Sequence, residues 1–167
     1  MARLFALDQN FPEPIVDALE THLEDDVELV PIRRVDRRMS ELDDWEVLLA
    51  LHNDARAWDG LVTTDSDMLS LPRELAVLCQ TRLTLVVAVA AGHDPIKATG
   101  LVLAHVAGIC HQTRPDAPQV WKLATAQRPA DDPWDYLAAV ARRRGESADA
   151  VYRRERLTKA QLARSPL

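Results

Sequence analysis

Acidic residues directly follow two short apolar runs of the sequence and also begin a predicted helix. Asp8 follows RLFAL, Asp65 and Asp67 follow GLVTT, and Asp43 and Asp44 open the segment DDWEVLLAL. A turn aspartate caps a local backbone amide and needs no distant acid. Gathered carboxylates, in contrast, repel each other unless some are protonated or a cation neutralises them, and their oxygens are ligands that Mg2+ and Mn2+ prefer. The pattern therefore indicates either ordinary turns or a divalent-metal site.

The elements that must position these acids alternate along the 167 residues. Apolar runs predict strands over residues 3–7, 27–32, 60–64, 83–90 and 119–125. Helical spacing predicts helices over residues 13–23, 43–58, 72–81, within 91–112, 133–144 and 147–163, and residues 33–42 are expected to be irregular. Parallel strands need a crossover element between them, so this alternation favours an α/β fold with a mostly parallel central sheet wrapped by helices.

The predicted topology gives a reason to prefer the metal site. In parallel sheets, ligands bind beyond the carboxyl ends of the strands, near a switch in strand order. Asp8 and Asp65 end the first and third predicted strands, so both are expected at that edge. One or two bound ions would activate water for in-line attack on a phosphoester, so phosphodiester hydrolysis is the expected chemistry.

Three motifs in this order carry a family resemblance: LFALDQNFPEPIVDAL, then LDDWEVLLAL, then DGLVTTDSDML with LPRELAVL close behind it. Together they resemble the PIN-domain ribonucleases, and in particular the compact PIN-like branch that includes VapC-type toxins of toxin–antitoxin systems. The resemblance covers roughly residues 3–112, or to about residue 145 at its widest extent. It implies a Rossmann-like α/β/α sandwich and a Mg2+- or Mn2+-dependent endoribonuclease, in a family whose members are commonly homodimers and are often neutralised by a cognate antitoxin.

The resemblance also implies which residues form the site. Catalytic and metal-binding roles fall on Asp8, Asp44, Asp65 and Asp67, with Asp43 and Glu46 as alternatives to Asp44 as the second-helix acid. Several relatives carry an acid directly after the first aspartate, where this chain has Gln9 followed by Asn10, and Asn10 is a further candidate.

Two other functions compete with the nuclease. A catalytically silent PIN-like module that binds RNA or a protein partner is the main alternative, because Gln9 reduces the charge of the site. A haloacid-dehalogenase-like phosphatase would need a second acid two residues after Asp8, where this chain has Asn10. The phosphatase is therefore the least favoured interpretation.

Basic residues are concentrated in two places in a chain whose net charge is -6. Four arginines after the second predicted strand are candidates for RNA phosphate contact, with a solvated, salt-bridged loop as the alternative: Arg33, Arg34, Arg37 and Arg38. Residues 140–167 carry eight basic and three acidic groups. The rest of the chain is acidic, which argues against a protein that coats nucleic acid non-specifically.

The remaining predictions concern organisation and compartment. Residues 1–128 are expected to form the PIN-like nuclease domain, and residues 129–167 a basic helical extension. No apolar run has the length of a membrane span or a signal peptide, so we expect a cytoplasmic protein with no membrane partner. Cys79 and Cys110 lie in apolar segments without zinc-type spacing and are expected to be reduced core residues.

Overall fold

A computed structural model describes residues 2–11, 17–18, 23, 27–91, 94–126 and 128–167. The strands are β1 (Arg3–Leu7), β2 (Val27–Pro31), β3 (Gly60–Thr63), β4 (Thr84–Val87) and β5 (Gln119–Lys122). The helices numbered here are α1 (Ile32–Val35), α2 (Asp44–Asn53), α3 (Pro72–Leu78), α4 (Pro95–Gln112), α5 (Pro133–Arg143), α6 (Ala148–Glu155) and α7 (Lys159–Leu162). Residues Arg37–Glu41 and Ser66–Leu69 form 3-10 helices. The helix predicted over residues 13–23 lies almost entirely outside the described residues.

The five strands form one sheet in the order β2-β1-β3-β4-β5, and each neighbouring pair is parallel. The predicted α/β fold with a mostly parallel sheet is confirmed. The chain builds β2 on one side of β1 and β3 on the other, so the strand order switches between β1 and β3. In open parallel sheets the crevice beyond the carboxyl ends at such a switch is the usual ligand site.

Both faces of the sheet are covered by helices, which explains why most of its strand positions are apolar. Phe5 and Leu7 point to one face, where Val102 and Val106 of α4 join the same buried cluster. Ala6 points to the other face and packs in a cluster with residues of α2 and α3. Because successive strand residues alternate between faces, one short strand contributes to both cores. The result is an α/β/α sandwich.

The segment predicted to be irregular, residues 33–42, instead forms α1 and the first 3-10 helix. Ile32 and Met39 are each only 1% exposed and fix this segment to the core. Between them the Asp36 carboxylate accepts a hydrogen bond from the Arg38 backbone N–H at 2.9 Å and caps the 3-10 helix. Buried anchors and a cap therefore organise a sequence that has no helical periodicity.

Two predicted helices are shorter than expected. The helix expected over residues 43–58 ends at Asn53, and the backbone then turns with Ala57 at a positive φ of 53°. The helix expected over residues 147–163 breaks into α6 and α7, because Leu157 enters the core and Thr158 caps α7. The second break comes from capping and burial, which compete with helical spacing.

The C-terminal segment is attached to the helices on the second face of the sheet. The Gln80 side chain donates to the Leu157 carbonyl at 2.8 Å and accepts from the Leu157 N–H at 2.7 Å. The Asn53 amide donates to the Leu162 carbonyl at 2.9 Å, and the Arg73 guanidinium donates to the Glu155 carbonyl. Helices α5 and α6 also pack against α3. Residues 129–167 are thus continuous with the body of the protein.

Among the described helices, none combines the length and the hydrophobicity needed to cross a bilayer.

Gly60 provides a test of the strand packing, since a Cβ built there would lie 2.0 Å from the Thr84 carbonyl oxygen and 2.9 Å from the Phe5 ring. We expect Gly60→Ala to lower the free energy of unfolding by about 3 kcal/mol or more, because a backbone atom cannot move away cheaply. Urea unfolding measures the change.

The matched control is Gly100→Ala, since a Cβ at Gly100 in α4 meets nothing within 4 Å. This substitution should raise the free energy of unfolding by about 0.5–1 kcal/mol through helix propensity. Equal stability of the two variants would contradict the packing of β3 against β4.

Candidate metal-binding site

Asp8 is the buried acid at the switch in strand order. Its N–H continues the sheet by donating to the Val62 carbonyl at 2.9 Å, and the residue is 9% exposed. Its carboxylate accepts hydrogen bonds from the Gln9 N–H (2.7 Å), the Asn10 amide (3.0 Å) and the Thr63 hydroxyl (2.8 Å). Burial raises the pKa of Asp8, the Asp65 charge raises it further, and the three hydrogen bonds oppose the rise.

The Thr63 hydroxyl links the first acid to the second. It donates to Asp8 Oδ2 and accepts from the Asp65 N–H at 2.9 Å. Thr63 is fully buried at the end of β3, so this hydroxyl has a fixed position between the two strand ends. Asp65 Oδ1 in turn accepts from the Asp67 N–H at 2.8 Å and caps the 3-10 helix that follows. One chain of hydrogen bonds therefore orients Asp8 and Asp65 together.

Asp44 is the helix-start acid that interacts with this pair. It is the first residue of α2, whereas Asp43 is the N-cap and its N–H donates to the Glu46 carboxylate at 3.0 Å. Burial, and then the charges of Asp8, Asp65, Glu74 and Asp43, raise the pKa of Asp44 to about 6. The capping contact occupies Glu46, and the geometry favours Asp44 among the three second-helix candidates.

Glu74 is an acid of this edge that the sequence analysis did not select. It lies in the first turn of α3, which packs against α2, and its charge raises the pKa of Asp44. Burial raises the pKa of Glu74 itself, and the Asp43 charge adds to the rise. The sequence feature that could have indicated Glu74 is its position two residues after Pro72, at the start of a predicted helix that follows Asp65 closely. Its proximity depends on how α3 packs, which the sequence pattern does not give.

Two further predicted site residues are exposed and each donates a hydrogen bond to one of the acids. Asp67 is exposed, and its N–H donates to Asp65 Oδ1. Asn10 is exposed too, and its amide donates to Asp8 Oδ2. Asn10 therefore orients the buried carboxylate.

The donor chemistry of the three central acids suits a hard cation that keeps much of its water. In the described part of the chain, no group of three or more His, Cys, Asp or Glu side chains is arranged to hold a metal ion. Mg2+ is commonly bound through one or two carboxylates plus water and substrate phosphate, so a closed cage is unnecessary. A carboxylate has about four acceptor positions, of which Asp8 uses three, and one position on Oδ1 stays free. The residues thus fit a water-rich Mg2+ or Mn2+ site.

The four arginines predicted to contact RNA are all exposed on the segment between β2 and α2. Arg34 pairs with Asp17 at 2.6 Å, and Arg38 pairs with Asp36 at 2.7 Å. The Arg38 hydrogen bonds lower the pKa of Asp36 to about 2. The expected salt-bridged loop is therefore present for these two arginines, whereas Arg33 and Arg37 form no ion pair with any described residue.

Comparisons with known proteins add no family assignment: no family model, curated protein or solved structure matches this chain.

The raised pKa of Asp44 predicts that this residue makes the free energy of unfolding depend on pH. Its folded-state pKa of about 6 lies above the ordinary value of 3.8, so between these values the folded protein binds more protons than the unfolded chain. The contribution of Asp44 to the free energy of unfolding should therefore fall as pH rises from 3.8 to about 6 and stay low above it. Asp44→Asn should remove this fall and raise stability at pH 7 by about 1 kcal/mol, after allowance for solvent screening.

The control for this prediction is Asp149→Asn, in the exposed first turn of α6, which changes a helix-start charge without neighbouring acids at the sheet edge. Urea unfolding at a series of pH values compares the native protein with both variants. If the native protein and Asp44→Asn show parallel pH profiles, the proposed charge repulsion is absent.

Proposed function

We propose that the protein is a divalent-metal-dependent endoribonuclease of the PIN-like type. The observation that carries the proposal is the meeting of Asp8, Asp44 and Asp65 at the switch in strand order, with Asp8 buried and hydrogen-bonded through Thr63. Such a gathering of oxygen donors is costly without a cation, and perturbed acids in a crevice are typical of functional sites. The PIN-like motifs in the sequence support the same assignment.

Asp8 and Asp65 are the proposed holders of Mg2+ or Mn2+, with Asp44 as the third acid facing the ion. A bound ion would supply a water of lowered pKa and stabilise charge on the leaving oxygen. The protein's own part is orientation, since Thr63 and Asn10 fix the Asp8 carboxylate through Oδ2 and leave acceptor capacity on Oδ1. Asp44, with its pKa near 6, becomes fully charged only near neutral pH or when a cation is present.

The biological role follows from the family resemblance. Members of the compact PIN-like branch include toxins that cleave RNA, so the proposal extends to the toxin of a toxin–antitoxin pair. On this proposal the protein acts in the cytoplasm as a homodimer and is neutralised by a cognate antitoxin.

A silent PIN-like module is the second candidate function. It is favoured by Gln9 at the position of a second acid and by the lack, among the described residues, of a three-ligand metal group. Such a module would bind RNA or a protein partner without hydrolysis. Metal-dependent cleavage separates the two functions.

Asp8→Asn and Asp65→Asn should each reduce the cleavage rate of single-stranded RNA by about a hundredfold or more, because each removes a metal-holding carboxylate. The measurement is cleavage of an end-labelled RNA on denaturing gels with Mg2+ or Mn2+, and with EDTA as the metal-free reference. Asp116→Asn, in the exposed turn before β5, is the matched control and should cleave normally. Full activity in both site variants would reject the nuclease site.

Metal binding should also stabilise the folded protein. An ion at about ten times its dissociation constant adds about 1.4 kcal/mol, which raises the melting temperature by about 3–5 °C for a chain of this size. Asp8→Asn should remove this rise, because it takes away a metal-holding carboxylate. Differential scanning fluorimetry with Mg2+ and Mn2+ measures both effects. An identical metal response in native protein and variant would argue against ligation by Asp8.

A further inference from the structure

Three arginines surround one surface pocket on the segment that joins β2 to α2. The pocket has a volume of about 400 Å3 and is lined by Arg33, Arg34, Arg37 and Ser40; we call it the arginine pocket. The Ser40 hydroxyl donates to the Arg37 carbonyl at 2.9 Å, which closes the turn behind the pocket. Cationic side chains that line one concave site favour the binding of a small anion.

The fold itself exposes these arginines. Ile32 and Met39, each 1% exposed, anchor both ends of the segment in the core and leave the intervening basic side chains facing outward. The cap by Asp36 sets the turn that separates Arg33 and Arg34 from Arg37. Buried contacts therefore fix the segment that carries the pocket, so we expect its backbone conformation to survive changes of the exposed side chains that line the pocket.

The pocket retains unpaired positive charge. Arg34 is partly neutralised by Asp17 at 2.6 Å, and Arg38 is engaged by Asp36 outside the pocket lining. The Arg33 and Arg37 guanidinium groups form no hydrogen bond or ion pair with the residues that the structure describes. Each presents a planar set of donors that matches two oxygens of a phosphate group.

The arginine segment begins and ends at the carboxylate edge of the sheet. Pro31 at the end of β2 pairs with Leu7 at the end of β1, so Ile32 and Asp8 follow neighbouring strand ends. Helix α1 packs against β1 and β2, and after the 3-10 helix the chain reaches Asp44. The pocket is thus built on the connection that runs from the end of β2, which neighbours the strand end carrying Asp8, to Asp44.

We propose that the arginine pocket binds a phosphodiester group of the RNA backbone while a neighbouring phosphate of the same strand reaches Asp8, Asp44 and Asp65. This inference rests on the proposed nuclease function and adds its substrate contact. A chain of net charge -6 repels a polyanion, so a local cationic contact beside the acids holds the strand there without coating the surface. The pocket contacts phosphate only, so binding should be insensitive to base sequence at this point.

The test measures RNA binding in EDTA, where metal-dependent cleavage cannot occur. A fluorescein-labelled uridine dodecamer is titrated with native protein and with the double variant Arg33→Ala/Arg37→Ala over a range of KCl concentrations, and anisotropy gives the affinity. We expect the double variant to bind about tenfold more weakly and to lose about 0.7 from the slope of log affinity against log salt for each phosphate contact removed.

The matched control is Arg142→Ala/Arg143→Ala, which makes the same change in net charge in the last turn of α5, outside the pocket. It should keep the native salt slope. Arg33→Lys/Arg37→Lys retains the charge and loses the paired donors, so it should bind with intermediate affinity. Circular dichroism melting checks that each variant is folded.

The outcomes separate the two proposals. An affinity and a salt slope that are equal in the pocket variant and the control would overturn the arginine pocket, whether or not the native protein cleaves RNA. Pocket-dependent binding by a protein that fails to cleave in Mg2+ or Mn2+ would support the pocket and reject the nuclease. Binding of an oligoglutamate peptide at the pocket, with no binding of RNA, would assign it to an acidic protein partner and overturn the inference.

Discussion

Repulsion among like charges at the switch in strand order is the constraint that organises this edge of the protein. Asp8 is held there by the sheet itself, because its N–H belongs to the ladder between β1 and β3. Asp44 and Asp65 are fixed by a helix start and a 3-10 cap, so none of the three backbones can retreat from the others. The repulsion is relieved by protonation or by a cation. Burial and then the neighbouring charges raise the pKa of Asp44 to about 6, so this carboxylate takes up a proton at a higher pH than an ordinary aspartate. A cluster of acids that repel each other lowers the stability of the fold, so its presence is better explained by a functional role.

The strand order of the sheet places residues that are distant in the sequence next to each other in space. Placing β1 between β2 and β3 brings three strand ends side by side, and each end passes directly into polar residues. The end of β1 supplies Asp8, the end of β3 supplies Thr63 and Asp65, and the end of β2 leads to the arginines. The acids and the arginines therefore lie on the same edge of the sheet, although they come from separate connections of the chain. This arrangement explains why the proposed phosphate-binding arginine pocket lies beside the proposed metal site.

Much of the fold was predictable because each of the five strands lies in an apolar segment of the sequence, most clearly β3 and β4, in which every residue is buried. Asp8 and Asp65 were predictable as site candidates because parallel strands align their carboxyl ends. The sequence left the second-helix acid open, since Asp43, Asp44 and Glu46 share one helical turn and differ only in their capping contact. Glu74 was missed because its distance from Asp44 depends on the packing of α3 against α2. Such contacts between distant elements leave no local spacing signal.

The docking of residues 157–162 affects how the protein can fold during synthesis. Asn53 contacts Leu162 across 109 positions, and Gln80 contacts Leu157 across 77. The apolar side of α2 and α3 thus stays partly uncovered until residues 157–162 have emerged from the ribosome, and partly folded chains are prone to aggregate at that stage. Folding is expected to be slowed by these distant contacts, because loop closure precedes the gain in packing. Protection of the nascent chain by a chaperone would therefore matter most before these residues emerge.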